Sequence, residues 1–96
     1  MKKLEIYQIT EDKEREFAFL GYDQVISKYG KVEKSNYKKV YECEIDVSNA
    51  DEVFETFNFY TPSDFTGHSL SVSDVIILDG NAYYCDRFGW QVVINF

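Results

Sequence analysis

Three groups of side chains in this chain are of types that can do chemistry. The first is the block Thr66-Gly67-His68-Ser69-Leu70-Ser71-Val72-Ser73-Asp74, which gathers hydroxyls, the only histidine and a carboxylate. Its hydroxyls are candidate phosphate ligands, but the block has neither a glycine-rich nest nor a lysine. On extended backbone, Ser69, Ser71 and Ser73 alternate with Leu70 and Val72, so their hydroxyls share a face and cap nearby backbone groups. The second group joins His68 to Cys85 and Asp86, the residue types of a nucleophilic set, or to Asp64 and Asp74 as a metal site. No recognised spacing supports either set. Cys85 lies in an apolar run and reads as a buried, inert thiol. The expectation is a non-enzymatic protein with no catalytic residue, no metal and no cofactor.

The third group is Glu42, Glu44 and Asp46. Residues two apart on a strand stand about 6.6 Å apart on one face. Three carboxylates therefore form a row, and Asp51, Glu52 and Glu55 follow on the next element. One reading is a solvated strand face followed by ordinary helix capping. The other is an acidic surface that occupies a lysine- and arginine-lined groove as a nucleic-acid backbone does, with long-range attraction speeding the encounter. Aromatic residues Phe57, Phe59, Tyr60 and Phe65 lie around one loop, and Tyr60 and Phe65 are candidate interface anchors. The candidate partner-binding residues are thus Glu42, Glu44, Asp46, Asp51, Glu52, Glu55, Tyr60 and Phe65.

The elements that must position these groups can be read from periodicity. Leu4 to Ile9 reads as a strand, and Thr10 to Glu16 as a loop or short helical turn. Asp23 to Tyr29 reads as a short helix with Gly30 just past its end. Lys31 to Lys39 is a basic connection. Tyr37 to Val47 alternates clearly. Val40, Glu42, Glu44 and Asp46 fall on one face, and Tyr41, Cys43, Ile45 and Val47 on the other. Asn49 with Glu52 fits a capping box, opening a helix with Val53, Phe54 and Phe57 on its apolar stripe. Leu70, Val72 and Val75 to Leu78 supply strand material. Asp79-Gly80-Asn81 marks a hairpin turn, Ala82 to Asp86 returns, and Trp90 to Ile94 is a last strand. The expected fold is a single α+β domain over residues 1–96, with a mainly antiparallel sheet of about five strands and two short helices.

Composition sets outer limits. The 96 residues are 45% hydrophobic and 18% aromatic, which is a folded composition. The formal charge is −7. It is uneven: residues 1–39 carry nine bases and seven acids (+2), residues 40–96 one base, Arg87, and ten acids (−9). A direct nucleic-acid binder should be basic, and a lipid-surface binder should carry a polybasic patch. No apolar run is long enough to span a membrane. The start, Met1-Lys2-Lys3-Leu4-Glu5, lacks the apolar stretch of a signal peptide. Cys43 and Cys85 have no metal or redox spacing. A cytoplasmic protein, monomer or homodimer, is expected.

Phe57-Asn58, then Pro62-Ser63-Asp64-Phe65-Thr66-Gly67-His68-Ser69-Leu70-Ser71-Val72-Ser73-Asp74-Val75, then Ala82-Tyr83-Tyr84-Cys85-Asp86 with Phe88-Gly89-Trp90, together resemble the YodL-like domain family. The resemblance covers about residues 37–96; Trp90 stands where the pattern usually has Phe, and residues 1–36 fit only loosely. It implies a small bacterial domain common on plasmids, conjugative elements and phages, with no established catalytic residues. Joined to the acidic charge, it points to a non-enzymatic inhibitor of a host defence nuclease, a CRISPR effector or restriction enzyme, which blocks the nucleic-acid channel. The alternative is a module that binds another host protein, cytoskeletal or replicative, through the aromatic loop.

Overall fold

The computed structural model describes residues 1–96. Five strands form one antiparallel sheet: β1 (Lys2–Ile9), β2 (Tyr37–Ile45), β3 (Val75–Leu78), β4 (Asn81–Cys85) and β5 (Trp90–Val93), in the order β2-β1-β3-β4-β5. Three helices accompany it: α1 (Glu14–Phe17), α2 (Tyr22–Tyr29) and α3 (Ala50–Phe59), with 3-10 turns at Glu11–Lys13 and Lys34–Asn36. The α+β class, the antiparallel sheet and the strand number agree with the sequence reading. The four-residue α1 lies partly in the segment read as a loop or short turn. No helix is long and apolar enough to cross a membrane.

Alternation along the central strands gives the sheet two apolar faces. Leu4, Ile6, Ile76 and Leu78 point to one side, where they meet Val53 and Phe57 of α3 together with Leu70. Tyr7, Val75, Ala82, Tyr84 and Val93 point to the other, where Val25 of α2 and Val32 cover them. A fully buried side chain of this kind contributes about 1.5–3 kcal/mol, so both covers are needed in a chain this short.

Local chemistry sets where elements start and stop. The Asn49 side chain accepts the Glu52 backbone N–H at 3.0 Å, capping α3 as its spacing predicts. Asp79 and Gly80 both hold positive φ, 52° and 87°, the turn that matches the twist of the β3–β4 hairpin. The entry to α2 is tied to the end of β4: Asp86 Oδ1 accepts the Tyr22 N–H at 3.1 Å, and the Tyr84 hydroxyl donates to the Leu20 carbonyl at 2.6 Å.

Two local readings are corrected. Residues 69–73 do not form a strand; β3 begins only at Val75. The chain instead turns at Ser73, with φ 90°, and Ser69, Ser71 and Ser73 still border one cleft. The strand Tyr37–Ile45 also contains an irregularity. Ile6 pairs with Tyr41 but Tyr7 with Lys39, so Val40 is an extra residue bulged out of register. Val40 then packs on the α3 side with Tyr41 and Cys43 instead of joining Glu42 and Glu44.

Candidate functional site

The bulge decides what the acidic row becomes. Lys39 and Glu42 have opposite parity and would face opposite ways on a regular strand. The extra residue brings them to the same face, where Lys39 Nζ lies 2.8 Å from Glu42 Oε1 and 3.6 Å from Glu5 Oε1. The Lys39 hydrogen bond, helped by its charge and that of Lys3, holds the Glu42 carboxyl below its ordinary pKa. Glu44 stands directly across from Lys3. The β2 row is therefore an interleaved charge pattern.

The remaining acids lie elsewhere. Tyr41 and Cys43 pack toward α3, so Glu42 and Glu44 project from the other face of the sheet. Asp51, Glu52 and Glu55 sit on α3 itself, exposed. Asp46 is exposed in the connection between the two elements. The structure thus does not assemble Glu42, Glu44, Asp46, Asp51, Glu52 and Glu55 into one row. It splits them across the sheet. Asp46, Asp51, Glu52 and Glu55 take part in no ion pair.

The aromatic loop is divided in the same way. Phe57 is fully buried, and Phe65 packs edge-on against it at 5.1 Å and against Tyr41 at 5.4 Å. Tyr41 in turn donates to Asp64 at 2.7 Å. Phe65 is therefore a packing residue that holds its loop on α3. Tyr60 is 73% exposed and its neighbour Phe59 is 74% exposed. On α3, Asp51, Glu55 and Phe59 follow at i, i+4 and i+8, with Glu52 beside them, opposite buried Val53 and Phe57. One solvent-facing stripe thus runs from carboxylates to an aromatic end. Phe59 joins it by the helical period that also places Val53 and Phe57.

A separate polar centre forms where the His68–Asp74 segment crosses β1. Gln8 is buried on β1 and grips that segment. Its Nε2 donates to the His68 carbonyl at 2.8 Å and to Asp74 Oδ2 at 3.2 Å, and its Oε1 accepts the His68 N–H at 3.2 Å. Gly67 is what allows this approach, since a Cβ there would stand 2.6 Å from Gln8 Oε1. Asp74 Oδ2 also accepts the Ser71 N–H at 3.0 Å. Burial pushes the Asp74 carboxyl up to about 7, against the lowering influence of the Ser71 N–H, His68 and Gln8. Both Gln8 Nε2 hydrogens are used, so His68 Nδ1, 2.7 Å from the Ser69 carbonyl, carries its own hydrogen and donates there. Sequence reasoning singled out His68 and Asp74 but missed Gln8, because nothing local marks a glutamine on a strand as a clamp for a segment sixty residues away.

The nucleophilic and metal sets do not assemble. Burial pushes the Cys85 thiol up to about 12, which is the reverse of what a nucleophile needs. The Asp64 carboxylate is engaged by Tyr41. No three His, Cys, Asp or Glu side chains come together as a metal-ligand set.

Searches of curated proteins and of solved structures returned no match. A family model for the YodL-like domain matches residues 3–96. The match takes in most of β1 with α1 and α2 as well as the motif-bearing half, so residues 3–36 belong to the pattern more fully than their sequence suggests. This chain belongs to the YodL-like domain family.

Proposed function

We propose that this domain is a non-enzymatic inhibitor that acts in the cytoplasm of a bacterial host by binding a protein. Its target is a host defence nuclease, a CRISPR effector or restriction enzyme, and its contact surface is the solvent stripe of α3. The observation that carries the reading is the contrast in pairing. Asp51, Glu52 and Glu55 are exposed and free of ion pairs, whereas Glu42 on β2 is held by Lys39. Unpaired carboxylates at helical spacing attract a lysine- and arginine-lined channel most strongly, and the chain's −7 charge adds a long-range pull. The mobile-element setting implied by the family pattern supplies a reason to oppose host nucleases.

A second reading is favoured by the exposure of Phe59 and Tyr60 at the end of the same stripe. Two adjacent exposed aromatics suit an apolar pocket on another host protein, cytoskeletal or replicative. The two readings differ in salt dependence, because screening weakens exposed charge contacts and leaves apolar ones.

The test is affinity capture from a defence-equipped bacterial lysate at low and high salt, with the wild type and two charge-reversed variants. Under the inhibitor reading a nuclease is held at low salt and shed at high salt. Asp51→Lys with Glu55→Lys abolishes capture, and Glu42→Lys with Glu44→Lys weakens it far less. Salt-resistant capture of another protein, lost in Phe59→Ala with Tyr60→Ala, moves the conclusion to the second reading. Equal loss in both charge-reversed variants would sink the assignment to α3.

A further inference from the structure

Between the His68–Asp74 segment and the Glu14–Phe19 segment lies an open cleft of about 850 Å³, with buried Asp74 at its base. That volume is in the range of small-ligand sites. The base of this cleft is chemically incomplete. Asp74 is only 1% exposed, and its two hydrogen bonds from Gln8 and Ser71 both go to Oδ2. No donor reaches Oδ1, and no lysine or arginine pairs with the carboxylate. The nearest cation candidate, His68 Nδ1, is 3.9 Å away and spends its hydrogen on the Ser69 carbonyl. A buried carboxylate without a counter-charge is costly unless something pairs with it.

We propose that this cleft binds a cationic group on a short apolar stem, a guanidinium or an ammonium, with its charge set against Asp74 Oδ1. Ile9, Ala18 and Phe19 line the cleft and suit the stem. The Ser69 and Ser71 hydroxyls offer further acceptors, and Glu14 adds a second negative charge. An anion would meet Asp74, Glu14 and the net charge of the whole chain. The opposing group is Arg15, which is exposed and holds no ion pair. This site lies apart from the α3 stripe and stands or falls independently of it.

The site carries a pH signature. Cation binding favours ionised Asp74, so affinity falls as pH drops below about 7 and levels off above it. The other groups facing Asp74 are His68 from its own segment, Tyr37 of β2, and Tyr84 and Cys85 of β4, with Glu14 and Arg15 across the cleft. Burial raises the pKa of both tyrosines and the cysteine, which keeps them neutral over this range.

The test is NMR titration of the full chain with agmatine, with N-acetyl-arginine-N′-methylamide and with the uncharged N-acetyl-norleucine-N′-methylamide, at pH 6 and pH 8. Saturable shifts at residues 14–19 and 68–74 are expected with the two cations and not with norleucine. Binding should be roughly tenfold weaker at pH 6, the ratio set by ionisation of a group titrating near 7. Asp74→Asn should lose binding at least tenfold. Ala18→Phe, which narrows the cleft and leaves Asp74 in place, should lose it too. Tighter binding of the capped arginine identifies the occupant as a basic side chain of a partner protein. Tighter binding of agmatine identifies a free amine. Equal affinity at both pH values, equal binding of norleucine, or shifts absent from the cleft would overturn the proposal.

Discussion

Two regions on the α3-covered face of the sheet use carboxylates in opposite ways. Around α3 the acids are all at the surface, and the interior beneath them is apolar, from Leu4 and Ile6 to Val53 and Phe57. Farther along β1 on the same face Gln8 meets Asp74, which is buried with no cation of its own. The α3 region therefore separates the two tasks, stability below and charge above. In the cleft region one carboxyl serves both. Its Oδ2 ties Gln8 and Ser71 into the fold, and its Oδ1 is left with no donor. A surface built the first way can be recharged with little effect on folding; in a site built the second way a change of charge alters stability as well.

The largest effect should come from removing the apolar support of the α3 stripe. Phe57 is fully buried between Tyr41, Phe65 and the sheet, so Phe57→Ala should cost roughly 3–5 kcal/mol in urea denaturation. Tyr60→Ala, at an exposed site, should stay within about 0.5 kcal/mol. Comparable losses at both positions would erase the separation of support from surface.

A second experiment probes the buried carboxyl. The Asp74 pKa is raised on folding, so the native state loses stability as pH climbs from the ordinary carboxyl value toward 7, and no more above it. A shift of this size corresponds to a penalty on the order of 4 kcal/mol at pH 8. Asp74→Asn never pays that penalty. Its stability relative to wild type should improve between pH 5 and pH 8, and parallel curves for the two proteins would refute the burial argument.

The smallest effect is expected at the β2 row. Lys39→Gln should leave stability nearly unchanged, because an exposed ion pair is screened by water. It should raise the Glu42 pKa toward its ordinary value in a carboxyl-detected NMR titration. An unchanged Glu42 would show that the bulge does not bring Lys39 to it in solution.

Where the chain's instructions are local, they are legible in the residues. The alternation of β1, the Asn49 cap, the Asp79-Gly80 turn and the apolar stripe of α3 each depend on neighbours within a few positions, and each appears where the sequence puts it. The family motif belongs here too, since it is written in consecutive residues. The site was less legible because its geometry depends on register. One extra residue at Val40 turns Lys39 toward Glu42 and converts a row of like charges into a paired one. Alternation with period two carries no mark of where it slips.

Composition and short-range periodicity are enough to set the class of fold, the main elements, the acidic balance and the family pattern. Which carboxylates share a surface, why Phe65 is packed while Phe59 is exposed, and how Gln8 meets His68 and Asp74 are settled in three dimensions. Those outcomes come from packing between segments far apart in the chain. Burial and counter-charge, which set what a carboxylate can do, do not exist until that packing is complete.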